Sequence, residues 1–186
     1  MKDNPIIIGF DDATFELHSE KKYTHLIGVI CQGTRMVSVA RKKIMIDGND
    51  ATEKLIEMVK QNIKHVQFII THSITFGGFN LINLNKIYSE TQKPIIALTE
   101  KEVDFDSVKI AVQKKFPNTY IHKLNNIVDA GNLYETEIET AGGLSKLFFH
   151  HKGITVEEVG VLLEKVCIDS KLPESVRMAH LIGKTF

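Results

Sequence analysis

The sequence has no tryptophan, four prolines and two cysteines in 186 residues, and no surplus of either charge. Its longest apolar runs are about six residues, against the roughly 20 needed to span a bilayer. Each shortage closes off a class of protein. Cys31 and Cys167 lie far apart and make neither a ligand cluster nor the dense disulfide framework of a small secreted domain, so a reducing cytoplasm is expected. The residues after Met1 (Lys2, Asp3, Asn4, Pro5) form no hydrophobic leader, and no membrane association is expected. The 23 basic and 23 acidic residues cancel. That excludes a strong non-specific grip on nucleic acid, which depends on neutralising phosphates. Lys21 with Lys22, Arg41 with Lys42 and Lys43, and Lys114 with Lys115 read first as solvated faces.

What is present suffices for one core. The chain is 43% hydrophobic, and a chain of this length buries roughly 70% of its unfolded surface without help from disulfides or metals. No repeat, low-complexity stretch or linker divides it. A single domain over residues 1–186 is expected, with a core over residues 5–123 and an elaboration over residues 124–186.

Hydrophobic periodicity then orders the core. Residues 6–10 are a continuous apolar run, the pattern of a strand buried on both faces. A polar loop follows, then strands over residues 25–31 and 37–46 joined by a turn at Gly33, an antiparallel meander. Asp50 and Glu53 have the spacing of a capping box ahead of Leu55, Ile56, Val59 and Ile63 at helical intervals. A fourth strand over residues 66–70, a helix over 79–90, a fifth strand over 94–98 and a helix over 104–116 complete the set. Right-handed crossovers place the fourth strand beside the first, giving an α/β sheet of order 3-2-1-4-5 with helices on both faces. Beyond it, Tyr120, Ile121 and His122 suggest another strand. Residues 133–151 suggest a hairpin. Thr155 and Glu158 form a second capping box, and Pro173 opens a last helix.

In open α/β sheets, ligands bind beyond the carboxyl ends of the strands where the winding reverses, here between strands one and four. Three loops reach that end. They carry Asp11 and Asp12; Asp47, Gly48 and Asp50; and His72, Thr75, Gly77, Gly78 and Asn80. Gathered carboxylates repel, and a divalent ion is the usual remedy: Mg²⁺ or Mn²⁺ held by Asp11, Asp12, Asp47 and Asp50 could serve phosphodiester hydrolysis. Each residue also has a structural reading. Acids at strand ends begin turns, Asp50 suits an N-cap, Asp47 before Gly48 is a turn dipeptide, and Gly77 with Gly78 permits a tight strand-to-helix turn that would also suit phosphate.

Four segments carry a more specific signal: GFDD at 9–12, IDGNDATEK at 46–54, ITFGGFN at 74–80 and PESVRMAHLI at 173–182. Together they resemble the archaeal domain-of-unknown-function family ninety-nine, itself distantly similar to endonuclease V and so to the ribonuclease H-like fold. The resemblance implies a mixed five-stranded sheet plus a C-terminal hairpin and two helices. It also implies a metal-dependent endonuclease acting on DNA or RNA. Its metal-holding acids fall on Asp11, on Asp50 with Glu53 as rival, and on the position of His72. This chain departs from the family pattern at His72 with Ser73, where Asp and Gly are usual, and at Asn83, where an acid is usual. Imidazole removes a charge and a hard oxygen ligand, although histidine suits Mn²⁺ or Zn²⁺ and can act as a base. The catalytic set expected is Asp11, Asp50 and His72, with Thr75, Gly77, Gly78 and Asn80 meeting the nucleic acid. The alternatives are a scaffold that binds nucleic acid without cutting it, and a protein-interaction domain.

Overall fold

The structure, a computed structural model, describes residues 1–16 and 20–186. The polar loop expected after the first strand runs through residues 17–19, which lie outside the described residues. Strands β1 (Ile6–Asp12), β2 (Tyr23–Gln32) and β3 (Arg35–Met45) form the antiparallel meander, and helix α1 (Ala51–Gln61) then crosses to β4 (Phe68–His72). A short hairpin follows, β5 (Thr75–Phe76) with β6 (Asn80–Leu81), then α2 (Leu84–Thr91), β7 (Ile95–Thr99), α3 (Phe105–Lys115) and α4 (Tyr120–Asp129). The chain finishes with β8 (Tyr134–Thr140), β9 (Gly143–Lys152), α5 (Val156–Val166) and α6 (Glu174–Gly183).

The main sheet runs β3-β2-β1-β4-β7-β9-β8, with β1, β4 and β7 parallel. Its first five members therefore keep the expected order. The sheet nevertheless has seven strands rather than five. Strand β9 pairs antiparallel with β7, from Ile95 opposite Lys152 to Thr99 opposite Phe148, so the hairpin extends the sheet. An apolar central strand such as β7 would otherwise expose a row of unpaired amides and carbonyls.

Alternation along the central strands explains why they are apolar on both faces. Ile8, Phe10, Ile69, Ile95 and Ala97 enter one layer, with α1 and α2; Ile7, Ile70, Ile96 and Leu98 enter the other, with α5 and α6. Gly9 matters here. A Cβ at this position would lie 2.5 Å from the Ser175 carbonyl carbon and 2.6 Å from the Val176 amide nitrogen, so its absence lets α6 lie directly against β1.

Three local expectations are corrected. Residues 120–122 are helical, because Lys123, Asn126 and Ile127 face the core at helical spacing and a three-residue apolar run does not separate helix from strand. The helix expected over 79–90 starts at Leu84, since Asn80 and Leu81 instead return the hairpin to Phe76 and Thr75. Gly77 (φ +50°) and Gly78 (φ +84°) make its left-handed turn rather than a helix N-terminus. Asp50 occupies the N-cap position of α1 but its side chain makes no capping bond. The second capping box does form, with Thr155 accepting from the Glu158 amide at 3.2 Å and Glu158 accepting from the Thr155 amide at 3.0 Å.

Candidate functional site

The carboxyl ends of β1 and β4 lie side by side, and α6 crosses above them. Asp11 lies one residue before the end of β1, with its carboxylate buried. One oxygen, Oδ1, accepts from the Asp12 amide at 2.9 Å. The other, Oδ2, meets His180 Nδ1 at 2.8 Å and His72 Nδ1 at 3.3 Å. Among the described residues, Asp11, His72 and His180 are the group of three side chains whose ligand atoms, all within 4.8 Å of one another, could hold a metal ion. The hydrogen bond to Asp11 holds the His72 imidazolium above its ordinary pKa of 6.5, against the opposing pull of burial. On its far side, His72 Nε2 lies 3.5 Å from Glu100, which Lys171 contacts at 3.0 Å.

The other acids face a different neighbourhood. Asp12 Oδ2 accepts from the Gly77 amide at 2.5 Å. Burial, opposed by that hydrogen bond, pushes the Asp12 carboxyl up from 3.8 to about 6. Asp47 Oδ1 accepts from the Phe79 amide at 2.9 Å, and its Oδ2 pairs with Lys115 at 2.6 Å. Asp50 accepts from the Met45 amide at 3.1 Å and from Asn80 Nδ2 at 2.7 Å. The 75–81 hairpin thus supplies donors to Asp12, Asp47 and Asp50. Asp11 and His72 come together as expected. Asp12, Asp47 and Asp50 do not join them in one cluster, because their carboxylates are turned toward donors in the hairpin and its surroundings.

The residues expected to meet nucleic acid divide in the same way. Thr75 contacts the Ser73 hydroxyl at 3.1 Å, one residue from His72. Gly77 turns its amide toward Asp12, and a Cβ on Gly78 would lie 2.5 Å from Asp47 Oδ1. Asn80 is fully buried: its Oδ1 accepts from the Ala51 amide at 3.0 Å, and its Nδ2 donates to the Met45 carbonyl at 2.8 Å as well as to Asp50. Asn80 thereby performs the capping expected of Asp50. Glu53, the rival to Asp50, pairs instead with Lys86 on the surface. Asn83 caps α2 through the Lys86 amide at 2.8 Å and donates to Asp129 at 2.9 Å.

Two important residues carry little signal in the sequence. His180 lies 169 positions from Asp11, and no local spacing connects them. The signal available was its place in the fourth motif, beside the buried stripe of Val176, Ala179 and Gly183 on α6. Lys123 is buried on α4, and its ammonium donates among the carbonyls of Gly48 and Phe79, both at 2.7 Å, the Asp47 carbonyl at 3.1 Å and Asn49 Oδ1 at 3.0 Å. It ties the 47–49 loop to the hairpin. Burial pulls its pKa below 10.5 despite the charge of Asp47.

Comparison with known proteins places this geometry. A solved protein of unknown function from Archaeoglobus fulgidus has the same fold at TM-score 0.82, with 26% identity and 96% of each chain covered. Endonuclease V from Ciona intestinalis, solved with inosine-containing DNA, superposes at TM-score 0.61 with 10% identity, over 95% of this chain and 83% of that one. Human endonuclease V gives 0.62 and 13%, over 97% and 83%. These likenesses at low identity establish a ribonuclease H-like, endonuclease V-like fold. In sequence, a UPF0215 protein from Methanocaldococcus jannaschii is 33% identical over 100% of this chain and 96% of its own length. A UPF0215 protein from Thermococcus gammatolerans is 32% identical over 95% and 89%. With the endonuclease dU profile matching residues 5–186, nearly end to end, the chain belongs to the endonuclease dU family.

Proposed function

We propose that this protein is a divalent-metal-dependent endonuclease that hydrolyses phosphodiester bonds in DNA, with Asp11, His72 and His180 as its metal-holding set. One observation carries the reading. A strand, a neighbouring strand and the last helix each deliver one ligand-type side chain to the carboxyl end of β1 and β4, where the winding reverses. The donor set fits a metal: one carboxylate and two imidazoles resemble sites for transition-type divalent ions. Mg²⁺ prefers oxygen, so Mn²⁺ is favoured over Mg²⁺. When bound, such an ion supplies Lewis acidity to a phosphoryl oxygen and eases ionisation of water. The protein's own groups do the rest. Asp11 orients both rings, and Glu100 lies within reach of the outer nitrogen of His72 to fix its tautomer. The family's description, endonuclease dU, makes DNA containing deoxyuridine the first class to test.

The test uses end-labelled duplexes containing one deoxyuridine, one inosine or neither, with Mn²⁺ or Mg²⁺, together with Mn²⁺ titration calorimetry. Expected is Mn²⁺-supported cleavage beside the altered base, lost in Asp11→Asn, His72→Gln and His180→Gln alongside at least tenfold weaker Mn²⁺ binding. Cleavage that survives Asp11→Asn, or Mn²⁺ affinity indifferent to both histidines, refutes the assignment. A second reading, DNA binding without cleavage, is favoured by the saturation of Asp12, Asp47 and Asp50 with protein donors. Tight DNA binding with no cleavage under either ion would select it.

A further inference from the structure

Beside the three-residue cluster lies a face that the cutting reaction leaves unused. Strands β2 and β3 pair so that Arg41 is opposite Ile27 and Lys43 opposite His25, placing Arg41, Lys43 and His25 on the side covered by α6. The Arg41 guanidinium lies 5.0 Å from the centre of the Phe186 ring, and the His25 ring lies 5.1 Å from it. Phe186 is 48% exposed, and Arg41, Lys43 and Lys184 are exposed. Among the described residues, none of these three cations forms an ion pair with a carboxylate. Among the described residues, nine other lysines do so, as Lys60 does with Glu90 and Lys109 with Asp106.

This face is continuous with the site. The Ala13 amide donates to the His25 carbonyl at 2.8 Å, directly after the acids of β1. Lys184 follows His180 by about one helical turn, and both line a cleft with Asp12 and Thr14. That spacing is about 6 Å of rise, and a DNA strand carries one phosphate per about 3.4 Å of axis. Lys184 therefore stands within reach of a phosphate neighbouring one held at His180.

We propose that Arg41, Lys43, Lys184 and Phe186 form the track for the DNA strand flanking the cleaved bond, the three cations meeting phosphates and the ring stacking on a base. The inference rests on the reading of this chain as a DNA-acting protein. An exposed aromatic flanked by unpaired cations is the combination that binds single strands, stacking giving sequence-tolerant affinity and the cations a salt-dependent hold. It also gives a chain of zero net charge a local positive face for a nucleic-acid partner, made by Arg41, Lys43 and Lys184.

The experiment measures binding of a fluorescein-labelled 20-nucleotide single-stranded DNA by anisotropy across a salt series in EDTA, so the result is independent of whether the three-residue cluster holds an ion. The triple variant Arg41→Gln, Lys43→Gln, Lys184→Gln should lower the slope of log affinity against log salt by about 2, at about 0.7 for each phosphate no longer neutralised. A charge-matched control, Lys60→Gln, Lys109→Gln, Lys146→Gln, should keep the parent's slope. Phe186→Ala should weaken binding about tenfold with the slope unchanged. All the substituted side chains are at the surface, and equal melting temperatures confirm intact folds. A triple variant with the parent's slope, a control whose slope falls as much, or a parent that does not bind at low salt overturns the track. Unchanged affinity in Phe186→Ala overturns its aromatic part.

Discussion

Replacing Lys123 by methionine tests whether the ammonium on α4 holds the acid-bearing loop to the hairpin. The substitution keeps the length of the stem and removes all three donors. The shortest contacts are to the carbonyls of Gly48 and Phe79, both 2.7 Å. A buried acceptor left without a partner costs about 1–3 kcal/mol, so two of them cost about 2–6 kcal/mol. Part of this is returned, because the variant no longer buries a charge. A net loss of about 3 kcal/mol remains. In a chain of this size each kcal/mol moves the melting temperature by about 2–4 °C, so Lys123→Met should melt about 6–12 °C lower by circular dichroism. Its denaturant midpoint should fall with little change in m-value. A variant melting within about 2 °C of the parent would refute the pinning role, and with it the account of how residues 47–49 are fixed.

Other perturbations probe neighbouring links. The Asp12 carboxyl has its pKa raised from 3.8 to about 6 in the fold. Its contribution therefore favours the fold below about pH 4 and is lost as pH rises through about 6. Asp12→Asn keeps an acceptor for Gly77, so it should be more stable than the parent above pH 6, by at most about 3 kcal/mol, and lose that advantage near pH 4; parallel melting curves across that range would exclude the effect. His72 is held above 6.5 by Asp11, so its stabilisation is full below 6.5 and fades as pH passes its raised value. An NMR titration of its ring protons should move to lower pH in Asp11→Asn, and an unmoved midpoint would contradict the geometry. Gly9→Ala should cost about 1–3 kcal/mol through overpacking against the backbone of Ser175 and Val176. It should also weaken Mn²⁺ binding more than tenfold, as α6 withdraws His180; parent-like binding would show that α6 is not set by this contact.

The sheet order was legible because crossover handedness leaves few options once β1, β4 and β7 are recognised as apolar on both faces. The hairpin of β8 and β9 was legible as a hairpin, but its partner was not, since pairing with β7 depends on a free edge that no local pattern announces. Two capping signatures were equally clear in sequence, and only Thr155 behaves as one. Asp50 loses the role to Asn80, whose approach from the hairpin is a tertiary event. The same limit governs the candidate site. Asp11 and His72 follow apolar strands that predictably lie together, whereas His180 depends on α6 folding back over Gly9. The paired glycines at 77 and 78 mark a sharp turn in either reading, and left-handed geometry alone does not tell whether a helix or a returning strand comes next.

The separation of Asp11 from His180 has a consequence for the life of the protein. During synthesis the first strand waits for the 169 positions between Asp11 and His180 to be made before its carboxylate meets the nearer of its two imidazoles. A copy clipped ahead of α6 would keep most of its sheet yet lose one wall of the cluster and the cover over β1 and β2. One truncation would thus remove His180 and uncover the apolar face of β1 and β2 together.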